Sequence, residues 1–265
     1  MIRFLALDLD GTLVPHTLKI SERNIAAVKA ARDAGVTVTV ATGRMHKSAL
    51  PYVKQLGVEV PVITYNGGLV TELGTGEILR KVELEKDLTQ EMLELCRKKG
   101  WYVQAYQDDR LLVEKDSEKA RKYSHVAGVP FEAIGDDLWK IDKATKLLTI
   151  GTDEVEQAEI AEAFHRLFDH RGNIAQSLGT YVEITAPEAE KGKAVAFLCE
   201  RLGISQDEVM AMGDADNDLG MLKFAKLGVA MGGAREEVKK IANHITGLCE
   251  EDGVAQAIEK YILNK

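Results

Sequence analysis

The sequence predicts an α/β fold, an open parallel sheet with an α+β region inserted into it. Three observations carry this expectation. Both ends of the chain alternate short apolar runs with helix-like segments, the middle pairs apolar runs across short polar turns, and three of the terminal runs stop abruptly at polar clusters. The expected boundaries are residues 1–82 and 186–265 for the parallel-sheet domain and 83–185 for the insertion.

Phe4-Leu5-Ala6-Leu7 is a run of strand length that ends in Asp8-Leu9-Asp10-Gly11-Thr12-Leu13. After a short connection containing Pro15, Ser21 reads as an N-cap for a helix over Asn24 to Ala34, ended by Gly35. Val36 to Ala41 is a β-branched strand that stops at Thr42-Gly43-Arg44. Met45 to Leu56 is a second helix, closed by Gly57, and Val60 to Thr64 a third strand of the same sheet. Such strand–helix alternation builds right-handed parallel units. Asn66-Gly67-Gly68 is a turn, and Leu69-Val70 with Ile78 to Val82 a hairpin.

From Glu83 the pattern changes. Leu88 to Lys99 is an amphipathic helix, and Trp101 to Tyr106 pairs with Arg110 to Glu114 across Gln107-Asp108-Asp109. A helix over Glu118 to Val126, a strand over Lys146 to Ile150 and a helix over Glu154 to Phe168 follow. Asn173 to Ser177 and Tyr181 to Thr185 then form a hairpin across Leu178-Gly179-Thr180. Trp101, Tyr102 and Tyr106 are expected in the core of this region rather than on a stacking platform. The first pattern resumes with a helix over Lys191 to Leu202. Strands follow at Val209 to Met212 and Leu227 to Met231, with helices at Glu236 to Ala242 and Val254 to Leu263.

Composition bounds the function. The chain has 265 residues, 45% of them hydrophobic and 29% charged, which describes an ordinary globular protein. A net charge of −8 disfavours nucleic acid and anionic membranes as partners. No apolar run approaches membrane-spanning length. Asp8 and Asp10 fall where a secretion signal would be apolar, and Cys96, Cys199 and Cys249 form no CxxC pair. A reduced, cytoplasmic setting is expected.

In an open parallel sheet, ligands bind beyond the carboxyl ends of the strands. Three strands end in polar clusters: Asp8 and Asp10, Thr42-Gly43, and Gly213-Asp214-Ala215-Asp216-Asn217-Asp218. Asp-Gly is also a plain turn pair, and Thr42 a plausible cap, so each cluster alone admits a structural role. Together they place carboxylates, a hydroxyl and a glycine turn at one edge. Carboxylates held so close repel unless a cation or a shared proton intervenes, and Mg2+ with oxygen ligands resolves this. Neither glycine fingerprint of the nucleotide-binding folds occurs.

These residues carry a resemblance. Asp8-Leu9-Asp10-Gly11-Thr12-Leu13, Ala41-Thr42-Gly43-Arg44, Lys191-Gly192 and Gly213 to Asp218 are similar to the motifs of the haloacid dehalogenase superfamily of phosphatases. The match is to the Cof-like branch, with a C2B-type cap inserted between the second and third motifs, and it spans the whole chain. It implies a Rossmann-like core and assigns Asp8 as nucleophile and Asp10 as general acid and base. Mg2+ would be held by Asp8, the backbone carbonyl of Asp10, and Asp214. Leu9, Thr42, Gly43, Lys191 and Asn217 would bind phosphate or substrate, and Asp218 would brace the metal ligands from behind.

P-type ATPases carry threonine at the position of Asp10, so aspartate here favours fast hydrolysis. A halide-removing enzyme is disfavoured by the metal and phosphate groups. Lys191 is preferred to Lys193 because it precedes glycine. Arg44, His16 and Asn66 are left open as substrate contacts, and Asp216 is expected as a solvated cap.

The insertion is expected to roof the site, with Leu178-Gly179-Thr180-Tyr181, and Tyr181 above all, as the first candidates for specificity. The expected activity is Mg2+-dependent hydrolysis of small phosphorylated metabolites, sugar phosphates foremost, by a monomer or homodimer. A phosphomutase or a non-catalytic phospholigand-binding protein are the alternatives. A mutase would want an arginine cluster in the cap, and none is evident in the sequence.

Overall fold

A computed structural model of the chain describes residues 1–177 and 180–264. Two compact units are present: Met1–Arg44, Ala49–Arg80 and Glu190–Lys265 form the first, and Met45–Ser48 with Lys81–Ala189 the second.

Along the chain run β1 (Phe4–Leu7), α1 (Glu22–Asp33), β2 (Thr37–Val40), α2 (His46–Gln55), β3 (Val62–Thr64), β4 (Leu69–Thr71) and β5 (Ile78–Lys81). Then come α3 (Lys86–Lys99), β6 (Val103–Gln107), β7 (Arg110–Val113), α4 (Glu118–Ala127) and β8 (Phe131–Ala133). They are followed by β9 (Lys146–Ile150), α5 (Glu154–Phe168), β10 (Asn173–Ser177) and β11 (Tyr181–Thr185). The chain closes with α6 (Lys191–Leu202), β12 (Val209–Gly213), α7 (Leu219–Phe224), β13 (Leu227–Ala230), α8 (Glu236–Ile241), β14 (His244–Ile245) and α9 (Gly253–Tyr261).

In the first unit, the described residues form a parallel sheet of order β14-β13-β12-β1-β2. Side chains alternate across it, and both faces are covered. Leu5, Leu7, Val38, Val40, Met210 and Met212 face a core shared with residues of α1, α2 and α9. Phe4, Ala6, Val209 and Ala211 face a second core shared with α6, α7 and α8. Burial on both sides is why β1 and β12 read as continuous apolar runs, while β2 alternates threonine with valine.

Register positions the chemistry. Leu7 lies opposite both Val40 and Met212, so β1, β2 and β12 end level with one another. The chain then leaves the sheet after Leu7, Val40 and Gly213 along one edge.

The third strand departs from expectation. β3 pairs antiparallel with β4, in a separate sheet of order β3-β4-β5. Its tie to the parallel sheet is an isolated bridge between Ala41 and Ile63. Pro61 has no N–H for a ladder, and its carbonyl accepts from the Thr39 hydroxyl at 2.7 Å. β8, β14 and α7 were not anticipated; β8 and β14, of three and two residues, are too short to show a period.

The second unit carries a sheet of order β10-β11-β9-β6-β7-β8, antiparallel except for β7 with β8. Val103, Ala105, Leu147, Val182 and Ile184 pack with residues of α3 and α5. Trp101 belongs to this core and meets Phe164 edge-on, at 6.4 Å between ring centroids. Tyr106 is fully buried, and Tyr102 is half-buried with its hydroxyl donating to Gln104. α4 is capped by Ser117, whose hydroxyl accepts from the Ala120 amide, and ends at left-handed Gly128. Leu178 and Gly179, half of the loop expected to set specificity, lie outside the described residues. No helix among the described residues is long and apolar enough to cross a membrane.

Candidate active site

The turn after β1 is wound around one carbonyl. Leu9 O accepts from the amides of Thr12, Leu13 and Val14, at 3.2, 2.8 and 2.7 Å. The Leu9 side chain is buried in the core, which leaves its amide as the group it can offer a ligand. Gly11 sits at φ +81°, and a Cβ there would stand 2.4 Å from Oδ2 of Asp214. Glycine is thus required twice, for the left-handed turn and for the approach of Asp214.

Asp8 lies at the floor of this edge, 4% exposed. Lys191 opens α6 and is fully buried, with Nζ donating to Asp8 Oδ1 and to Asp218 Oδ1, each at 2.6 Å. Gly192 beside it has a packing reason, because a Cβ would stand 2.5 Å from the backbone of Gly220 in α7. The start of α6 therefore comes close enough for the lysine to reach in.

Asp218 Oδ2 accepts from the amides of Asp214 and Ala215, at 2.9 and 3.0 Å. Both oxygens of Asp218 are engaged, so it holds the loop and the lysine in place. The Thr12 hydroxyl donates to Asp214 Oδ1 at 3.3 Å. One carboxylate oxygen from each of Asp8, Asp214 and Asp218 lies within 4.8 Å of the others.

The electrostatics follow from this crowding. Burial pushes the Asp8 carboxyl well above its ordinary range, and the charges of Asp218 and Asp214 push the same way, against the pull of Lys191. Burial also raises Asp214, to about 6, with Asp218 adding to it. Burial works against the charge of Lys191, but Asp218 and Asp8 outweigh it and hold its ammonium above the usual lysine value. The cluster has more negative charge than one lysine balances. Hard oxygen donors in this surplus fit a divalent cation such as Mg2+.

The second strand end contributes Thr42, fully buried, whose hydroxyl oxygen accepts from the Arg44 amide at 3.1 Å. Among the described residues, its own O–H has no acceptor. Gly43 lies against Asn66, where a Cβ would be 2.8 Å from Asn66 Oδ1. That same oxygen accepts from Asn217 Nδ2 at 2.9 Å. Asn66, left open from the sequence, is therefore joined to Asn217, and it holds a left-handed backbone at φ 55°.

Arg44 is occupied by Asp10. Its Nε donates to Oδ2 at 2.8 Å and its Nη2 to Oδ1 at 2.6 Å, a two-pronged pair that sequence reasoning missed. Asp216 forms an exposed pair with Arg235, Lys193 is exposed beside Glu190, and His16 is exposed. Tyr181 belongs to the second unit, its ring 5.7 Å from that of Tyr123. Within the first unit, Asp8, Lys191, Asp214 and Asp218 thus form one connected group. Thr42, Gly43, Asn66 and Asn217 form another, and Asp10 with Arg44 a third.

Comparison with known proteins identifies the family. The sequence pattern of the haloacid dehalogenase-like hydrolases matches residues 5–258. The 5-amino-6-(5-phospho-D-ribitylamino)uracil phosphatase YcsE of Bacillus subtilis is 33% identical, over 99% of this chain and 96% of its own length. Among solved structures, TM0651 from Thermotoga maritima superposes with a TM-score of 0.87 at 31% identity, covering 98% of this chain and 97% of that one. The subclass IIB sugar phosphatase BT4131 gives 0.83 at 26% identity, covering 98% of each chain. With its strand-end carboxylates, its buried lysine and a match over nearly its full length, the chain belongs to the haloacid dehalogenase-like hydrolases and is a phosphatase.

Proposed function

We propose that the chain is a Mg2+-dependent phosphomonoesterase that acts through an aspartyl-phosphate on small metabolites whose phosphate is esterified to a polyol, sugar phosphates foremost. The observation that carries this reading is the buried Lys191, which joins Asp8 to Asp218 beside Asp214. A lysine in that place orients one oxygen of Asp8 and leaves the other to react.

Asp8, the backbone carbonyl of Asp10, and Asp214 would hold the cation, with Asp218 fixing the loop behind them. Once bound, Mg2+ would offset the charge that otherwise keeps a carboxylate from a phosphate dianion. Asp8 attacks phosphorus, the bond from phosphorus to the ester oxygen breaks, and Asp10 delivers a proton to that oxygen. Asp10 then takes a proton from the water that attacks the acyl phosphate, releasing phosphate and restoring Asp8. The Thr42 hydroxyl, the Leu9 and Gly43 amides, Lys191 and Asn217 are the groups that hold the phosphoryl oxygens.

The substrate class rests on chemistry shared by two relatives. A sugar phosphate and a phosphoribityl group both present an alkyl phosphate on a hydroxylated chain. We take residues 83–185 as the inserted cap and Tyr181 as the first position there at which to test substrate ranking.

Phosphate release should be measured with Mg2+ over sugar phosphates, 5-amino-6-(5-phospho-D-ribitylamino)uracil, nucleotides, pyridoxal phosphate and flavin mononucleotide. Polyol phosphates should rank first. No release from any of them would refute the reading, and release that survives Asp8→Asn would refute the nucleophile.

A further inference from the structure

Asp10 and Arg44 form an unequal pair. The Asp10 side chain is 52% exposed, and that of Arg44 only 16%. The guanidinium lies over the ring of Tyr52, 4.8 Å from its centroid, and the Arg44 amide is bound to the Thr42 hydroxyl. Among the described residues, the hydrogen bonds to the Asp10 carboxylate all come from Arg44. The arginine is therefore the fixed partner and the aspartate the group that is held. A half-exposed pair of this kind contributes little to stability, whereas a planar fork restricts the carboxylate to one orientation.

We propose that Arg44 is a positioning residue that aims the Asp10 carboxyl at the ester oxygen, so that the phosphatase can expel poor leaving groups. This rests on the reading of Asp10 as general acid. The fork makes the two Asp10 oxygens inequivalent, one facing Nε and the other Nη2. A protonated Asp10 keeps one arm of the arginine on one oxygen while the other carries the proton. As the ester bond to phosphorus breaks, that proton passes to the leaving oxygen, and the resulting carboxylate closes again on both arms. It is then set to accept a proton from the attacking water. Tyr52 acts one step further back, by holding the guanidinium flat.

The consequence is a dependence on the leaving group. A nitrophenolate departs without much help from an acid, while a less acidic phenol or an alcohol needs the proton in flight. Steady-state kinetics on p-nitrophenyl phosphate and on phenyl phosphate would separate the two for wild type, Arg44→Ala, Arg44→Lys, Tyr52→Leu and Asp10→Asn. Arg44→Ala should lose about 3-fold in kcat/KM on p-nitrophenyl phosphate and on the order of 100-fold on phenyl phosphate. Arg44→Lys keeps the charge but loses the fork, and should fall between Arg44→Ala and wild type. Tyr52→Leu should shift the ratio the same way more weakly, which keeps the test open if Arg44→Ala folds poorly; melting curves monitor that.

Equal loss on both substrates in the arginine variants would overturn the proposal and make Arg44 a phosphate-binding or folding residue. Asp10→Asn separates that failure from a failure of the underlying reading. If it too loses both substrates equally, Asp10 is not the acid. If it loses phenyl phosphate selectively while the Arg44 variants do not, the positioning role alone is wrong.

Discussion

Lys191 Nζ stands 2.6 Å from a carboxylate oxygen of Asp8 and 2.6 Å from one of Asp218, so one buried ammonium joins the end of β1 to the loop after β12. Removing it strands two buried carboxylates beside each other. Lys191→Met should abolish phosphatase activity and cost about 3–5 kcal/mol of stability, the range for breaking one partner out of a buried pair. Urea unfolding measures this, and an unchanged midpoint would contradict the account.

Asp8→Asn should separate activity from stability. The amide removes the proposed nucleophile and also one carboxyl from a cluster whose burial already favours the neutral form of Asp8. Hydrolysis of p-nitrophenyl phosphate should vanish, while the melting temperature without metal stays level or rises. A drop of several degrees would show that the Lys191 pairing outweighs the crowding.

The raised Asp214 gives a pH dependence to the metal-free protein. Its folded value of about 6 exceeds the ordinary 3.8, so between these two pH values the folded chain binds more protons than the unfolded one. Asp214 therefore lowers stability as pH rises through that window, a loss of about 2 kcal/mol after allowance for solvent screening, and the raised Asp8 carries the decline higher. Mg2+ compensates the charge only where the carboxylates are ionised. Melting curves in a chelator should decline from pH 4 to pH 6, Mg2+ should raise them at pH 7.5 far more than at pH 4, and Asp214→Asn should weaken both effects. A Mg2+ response that is equal at both pH values would count against this cluster as the cation site.

Gly11 and Gly35 form a matched pair. Both have left-handed backbones, at φ +81° and +87°, but a Cβ on Gly35 meets nothing within 4 Å while one on Gly11 strikes Asp214. Gly35→Ala should cost about 1–2 kcal/mol and leave kcat intact. Gly11→Ala should carry that same strain and also displace Asp214, lowering kcat by on the order of 100-fold. Equal kcat in the two variants would refute a steric role for Gly11.

Much of the fold was legible because its signals are local. β1, β12 and β13 are apolar runs and β2 a β-branched one, and α1, α4 and α6 carry their own start or stop residues, Ser21, Ser117, Gly128 and Gly203. β3 misled because a short β-branched run reads alike in either sheet. Its partner was decided by Pro61 and by the turn at Asn66, a choice between two nearby ladders rather than a property of the run itself.

The same division holds for the site. The sequence by itself determined which residue types close each strand and open α6, and so the inventory of carboxylates, hydroxyl, lysine and amide. Only the tertiary structure decided who pairs with whom. Asp10 takes Arg44 across 34 residues, Asn217 takes Asn66 across 151, and Lys191 bridges Asp8 and Asp218 across 183 and 27. Strand order and burial pattern are written in short-range periodicity. A hydrogen bond between distant side chains depends on sheet register, on where a helix such as α6 can begin, and on a missing Cβ at Gly11 or Gly192, none of which a linear pattern records.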